Sequence, residues 1–157
     1  MMFGFWQKRR ERQERAEALV GEALLASRDP RYFTDFGVPD SFDGRFETAV
    51  LEMFIRLYTL PADENRLRQA MFDRFFHYID LTLREMGIGD LSVPRHMKRM
   101  MGGFNGRIRH YWDAVAQGDR AALASALARN LYGTAPDTAP ETVEKLADWL
   151  YDNLSTS

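Results

Sequence analysis

Hydrophobic positions recur along most of this chain every three to four residues, the spacing of helices with one buried face. Over residues 5–27, Ala16, Leu19, Val20, Ala23 and Leu24 share a stripe. Asp29 and Pro30 stop that helix and open a short piece, RYFTDF, which Gly37 closes. A turn at Val38, Pro39, Asp40 and Ser41 follows, with Ser41 or Asp40 placed to cap the next helix. That helix runs to about residue 60 and reads as central, with Phe42, Phe46, Ala49, Val50, Met53, Phe54 and Leu57 on its apolar face. Pro61 and Ala62 break the run, and Asp63 is expected to cap a helix reaching Met86.

The 63–86 helix carries two stripes rather than one. Leu67, Met71, Phe75, Tyr78 and Thr82 form the first; Phe72, Phe76, Ile79, Leu83 and Met86 form the second, beside it. A double stripe means either neighbours on two sides or an apolar strip left for a partner. Gly87 then suits a left-handed cap and Pro94 the first turn of the following helix. That helix, to about residue 117, has Met97, Met100, Met101, Phe104, Ile108, Tyr111, Trp112 and Val115 on one face, and Arg95, Lys98, Arg99, Gly102, Gly106, Arg109 and His110 on the other. Gly118 and Asp119 end it and cap an alanine-rich helix with Leu123, Leu127 and Leu131, which Gly133 closes. After a turn-rich linker, a last helix over 141–153 buries Val143, Leu146, Ala147, Leu150, Tyr151 and Leu154. No segment alternates with a period of two. The expected fold is all-α, six or seven helices in a single domain over residues 1–157, with a basic N-terminal helix at 1–27 and the linker and last helix at 134–157.

Length and composition agree with one real core. A chain of 157 residues, 45% of them hydrophobic, buries about 70% of its unfolded surface and is not disordered. The formal charge of −2 gives no overall pull toward nucleic acid. The absence of cysteine removes disulfides, cysteine-ligated zinc and thiol chemistry. No apolar run reaches the roughly 20 residues of a membrane span. The first residues place apolar side chains before basic ones and lack a signal-peptide core, so the expectation is a cytoplasmic protein. Phe3, Phe5 and Trp6 beside Lys8, Arg9, Arg10, Arg12 and Arg15 leave two readings. Either Phe5 and Trp6 pack on the core and the arginines are solvated, or this end touches a membrane interface.

Catalytic patterns are missing. No glycine-flanked serine elbow, phosphate loop or dinucleotide fingerprint occurs. Asp73, His77 and Asp80 are spaced to face one ion from a helix, the basis of an alternative reading as a small helical metal- or cofactor-binding enzyme. A solvated polar stripe explains the same three residues, and no enzyme, metal or cofactor is expected. The basic face is more informative. Arg95, Lys98, Arg99, Arg107 and Arg109 meet only Asp113 before their helix ends, and Gly102 and Gly106 lie one turn apart among them. Each mid-helix glycine costs about 1 kcal/mol relative to alanine. A small-residue groove edged by positive charge is one reason to keep them; incidental glycines on a solvated face are the other.

Three segments resemble one family: GVPDSFDGRFE at 37–47, FDRFF with LREMGIGDLSVP within 72–94, and GFNGR with a later ARNLYG at 103–107 and 128–133. Together they are similar to the ubiquinol–cytochrome c chaperones over roughly residues 26–133. The resemblance makes Gly37, Pro39, Asp40, Gly44, Arg45, Glu47, Gly87, Gly89, Asp90, Pro94, Gly106 and Arg107 the structural motif. It implies an all-helical, non-enzymatic assembly factor for cytochrome b of the respiratory bc complex, here looking like a bacterial relative at the inner face of the cytoplasmic membrane. It further implies an apolar membrane-protein client, with a small partner protein or the ribosome as further partners and no sequence-specific nucleic acid. The expected client surface is Phe72, Phe75, Phe76, Tyr78 and Ile79, with Arg95, Lys98, Arg99, Gly102, Gly106 and Arg109 beside it.

Overall fold

The computed structural model describes residues 2–155; residue 1 and residues 156–157, the ends of the expected domain, lie outside it. Seven α-helices and no strand occur among the described residues, as the periodicity predicts: α1 Met2–Ala26, α2 Arg31–Thr34, α3 Phe42–Thr59, α4 Asn65–Glu85, α5 Val93–Ala116, α6 Arg120–Leu131 and α7 Pro140–Ser155. They group into two compact units. Unit 1 takes α1 up to Glu22 together with Leu60–Phe104; unit 2 takes Ala23–Thr59 and the chain from Asn105 onward.

Local chemistry sets most boundaries. Ser41 caps α3, its Oγ accepting from the Gly44 backbone N–H at 3.1 Å. Asp119 does the same for α6, accepting from Ala122 N–H at 2.9 Å. At the end of α4, Gly87 has φ +85°, Gly87 N–H donates to the Arg84 carbonyl and Ile88 N–H to that of Leu83. These are the two bonds of a Schellman cap, which requires a left-handed residue at this point.

One boundary differs from expectation. Asp63 does not cap α4: the helix begins at Asn65, and Glu64, at the capping position, makes no side-chain cap bond. Its carboxylate is turned to Arg15, 3.1 Å away. The break before α4 is held instead by Arg68, whose Nη2 donates to the carbonyls of Leu60 and Pro61 at 2.9 and 3.0 Å. Phe42, assigned to the core face of α3, is exposed at the start of that helix.

In unit 1, the core is built from Ala16 and Val20 of α1, Leu67, Met71, Phe75, Phe76, Ile79 and Leu83 of α4, and Val93 and Phe104 of α5. Phe104 lies 5.5, 5.5 and 5.3 Å, centroid to centroid, from the rings of Phe72, Phe75 and Phe76. The tilted and edge-to-face angles suit aromatic quadrupoles. Two exposed ion pairs, Arg15–Glu64 and Arg74–Glu17, both 3.1 Å, link α1 to the segment that begins and carries α4.

In unit 2, Tyr32, Phe36, Leu51, Phe54, Tyr111, Leu123, Leu127, Leu131, Leu146 and Leu150 make the interior. Buried hydroxyls and a buried carboxylate in it find partners. Tyr32 donates to Glu52 at 2.5 Å, Arg56 closes on the same carboxylate at 2.7 Å, and Tyr132 donates to the Phe36 carbonyl at 2.6 Å. Burial pushes the Tyr132 phenol up to about 12.

Candidate partner-binding surface

Gly37 takes φ +64°, and Gly44 is where the chain cannot spare a side chain: an added Cβ would sit 1.9 Å from the Pro39 carbonyl oxygen. Asp40 and Arg45 pair at 2.7 Å across that turn, which holds the Asp40 carboxyl below its usual range. Glu47, one helical turn past Gly44, is 5% exposed and meets Arg107 of α5. Burial pushes its carboxyl up, and the Arg107 guanidinium pulls it only part of the way back. Asp90 contacts Arg84, and Gly89 accepts from the N–H groups of Ser92 and Val93, which fixes the corner ahead of Pro94. At Gly106 neither φ nor space demands glycine, since an added Cβ meets nothing within 4 Å. Arg107 therefore belongs to an internal ion pair and not to the free basic face.

The expected client stripe turns inward. Phe75, Phe76 and Ile79 are buried within unit 1 and present no surface to a partner; Phe72 and Tyr78 are half-buried. The choice that the double stripe left open is resolved for Phe75 and Phe76 by α5, which supplies Phe104 as a neighbour. On and just beyond α4, unit 1 exposes other apolar groups, Leu81, Met86 and Leu91, while Met97, Met100 and Met101 of α5 are half-buried. Leu91 is 97% exposed. Sequence reasoning missed Leu81 and Leu91. Their one signal is negative: each is a leucine outside both stripes of α4 and outside the apolar face of α5, where no packing demands it.

Beside these groups in unit 1, Arg95, Lys98 and Arg99 are exposed, and Arg99 Nη2 lies 3.1 Å from His96 Nδ1. Gly102 is exposed with open space around its Cα. Gly106 and Arg109 belong to unit 2, half-buried and exposed respectively. Charge is divided unevenly. Unit 1 holds twelve Lys and Arg against ten Asp and Glu, unit 2 nine against thirteen, so the unit that exposes Leu81, Met86 and Leu91 is also the cationic one. Met side chains are soft and unbranched, suited to partners of varied shape.

The alternative metal triad is not assembled. Asp73 accepts from Gln69 Nε2 at 2.9 Å, Asp80 pairs with Arg84 at 3.1 Å, and His77 is exposed. No group of three or more His, Asp or Glu among the described residues is placed to hold a metal ion. Likewise, no helix among them is long and apolar enough to cross a membrane.

The described residues form an all-helical fold that exposes apolar and cationic side chains in unit 1. The family model described as Ubiquinol-cytochrome C chaperone matches residues 34–156. The chain belongs to the ubiquinol–cytochrome c chaperone family. It is similar to the crystal structure of the Cbp3 homolog from Brucella abortus, with 31% identity and a TM-score of 0.78 over 98% of this chain and 88% of that one. No curated protein matches the chain.

Proposed function

We propose that this chain is an assembly chaperone that holds newly made cytochrome b until the ubiquinol–cytochrome c reductase complex takes it up, working at the cytoplasmic face of a bacterial inner membrane. The observation that carries the reading is the set of exposed apolar side chains of unit 1, Leu81, Met86 and Leu91, on a chain of a chaperone family. An apolar client segment laid on them would be held by about 25 cal/mol per Å² of buried apolar area, less the cost of association. Phe72 and Tyr78 contribute their outward edges, while Phe75, Phe76 and Ile79 keep α4 in place from within. Arg95, Lys98 and Arg99, with the open backbone at Gly102, receive an acidic or anionic partner, a small helper protein or ribosomal RNA. The test is a strain lacking the chain, assayed for cytochrome b and for bc-complex activity. Loss of both, restored by the intact chain and not by Leu91→Asp, supports the reading; normal levels in the deletion strain defeat it.

A further inference from the structure

Unit 1 has a second exposed apolar group that the client reading does not use. Met2, Phe3, Phe5 and Trp6 are all exposed, Phe3 by 82% and Trp6 by 57%, so the reading in which Phe5 and Trp6 pack on the core does not hold. Four large apolar side chains within five residues form the kind of patch that soluble proteins seldom leave in water without a use. Basic side chains follow at once. Lys8, Arg9 and Arg10 are exposed and Arg12 is half-buried. The Arg9 guanidinium lies over the Trp6 ring at 5.7 Å, and Phe5 meets Trp6 edge-on at 5.9 Å.

Further along α1 the charges are already engaged, Arg15 with Glu64 and Glu17 with Arg74. Lys8, Arg9, Arg10 and Arg12 make no ion pair among the described residues. Glu11 and Glu14 stand among them and dilute the field without cancelling it, four cations against two acids. Aromatic side chains with a cationic collar match the two layers of a bilayer surface, where the rings sit at the headgroup boundary and the cations on phosphates. Since no helix of the described residues is long and apolar enough to cross, the fit is to a helix that lies at the surface.

We infer that the first turns of α1 are a docking surface for anionic lipid, with Met2, Phe3, Phe5 and Trp6 entering the interface and Lys8, Arg9, Arg10 and Arg12 meeting acidic headgroups. This is independent of what client the protein holds. The full chain is sedimented with phosphatidylcholine vesicles and with vesicles containing phosphatidylglycerol, at low and high salt, while circular dichroism tracks helix content. Wild-type chain is expected to pellet with the anionic vesicles at low salt and to be released at high salt. Each basic residue reversed lowers partition about five-fold or more, read in Arg9→Glu and Arg10→Glu. The pair Phe3→Asp with Trp6→Asp abolishes binding at unchanged helix content. Three results overturn the inference: no binding to anionic vesicles at low salt, binding that survives Phe3→Asp with Trp6→Asp, or equal binding to neutral vesicles. Self-association of the wild type, lost in that same double variant without any lipid binding, gives the patch to a second copy of the chain and overturns it too.

Discussion

Arg107 grips the Glu47 carboxylate across a sequence separation of 60 residues, with Nε 2.8 Å from both oxygens and Nη2 2.6 Å from Oε1. The pair joins the first motif segment to the third inside unit 2, so a glutamate and an arginine that look like surface residues in the sequence have an internal role. A buried pair of this kind is weak evidence of net stabilisation, but breaking it from one side leaves a charge stranded. Arg107→Met is therefore expected to cost about 3 kcal/mol near neutral pH. The sign of its pH dependence follows from Glu47. Burial already raises this carboxyl in the folded state, and losing Arg107 raises it further. A raised folded value contributes stability below the unfolded value of about 4.3 that is lost as pH rises through the folded one. Denaturant unfolding of Arg107→Met should thus show partial recovery at about pH 5 relative to neutral pH, and adding Glu47→Gln should remove that slope. A slope equal to that of wild type would disprove the assignment.

Gly44 is the second strict position. Its absent Cβ makes room for the Pro39 carbonyl, and backbone cannot step aside as a flexible side chain can. Gly44→Ala is expected to lower stability by about 2 kcal/mol or more, the upper range of an overpacked site. Gly106→Ala, where an added methyl meets nothing, should raise it by up to about 1 kcal/mol through helix propensity alone. Thermal melts of the two variants moving in the same direction would contradict this.

How far the residues alone reveal the molecule depends on what each signal reports. Helix existence is local, so the six long helices, a cap for α3 at Ser41 or Asp40, the Asp119 cap and the glycine stop at Gly87 are legible from spacing and capping chemistry, while the one-turn α2 reads only as a short piece between Pro30 and Gly37. The start of α4 is not legible, because it depends on contacts that spacing does not report: Arg68 holds the Leu60 and Pro61 carbonyls, and Arg15 of α1 holds the Glu64 carboxylate. The direction of the aromatic stripe is tertiary information too: Phe75 and Phe76 are core and Phe72 half-buried where Phe104 meets all three from α5. Arg95, Lys98, Arg99 and Gly102 were visible as a basic, glycine-bearing face and do lie outward. Leu91 leaves no periodic signature, being a single apolar side chain in a polar corner.

The four-ring cluster predicts where unit 1 is most sensitive. Phe104 is 2% exposed and its ring meets all three α4 phenylalanines. Phe104→Ala should cost about 3–5 kcal/mol, while Phe104→Leu keeps most of the volume and should cost less than half of that. Hydrogen exchange is the sharper readout: amides of α4 should lose protection in Phe104→Ala while those of α6 and α7, in unit 2, keep theirs. Uniform loss in both units would mean that the cluster stabilises more than its own unit.

Leu91 separates binding from folding. Its side chain is 97% exposed, so the folded chain gains almost nothing from it, and Leu91→Asp should leave the unfolding midpoint within about 0.5 kcal/mol of wild type. Should the exposed apolar groups of unit 1 hold the client, the same change removes a contact worth about 1.5–3 kcal/mol when fully buried, which is roughly a ten- to hundred-fold loss of affinity. Arg99→Glu, on the neighbouring basic face, should weaken binding to an anionic partner and make the remaining affinity less sensitive to salt. Co-purification of cytochrome b with the two variants reads both effects at once. A Leu91→Asp chain that is stable and still retains the client at wild-type levels would move the binding surface away from the corner between α4 and α5.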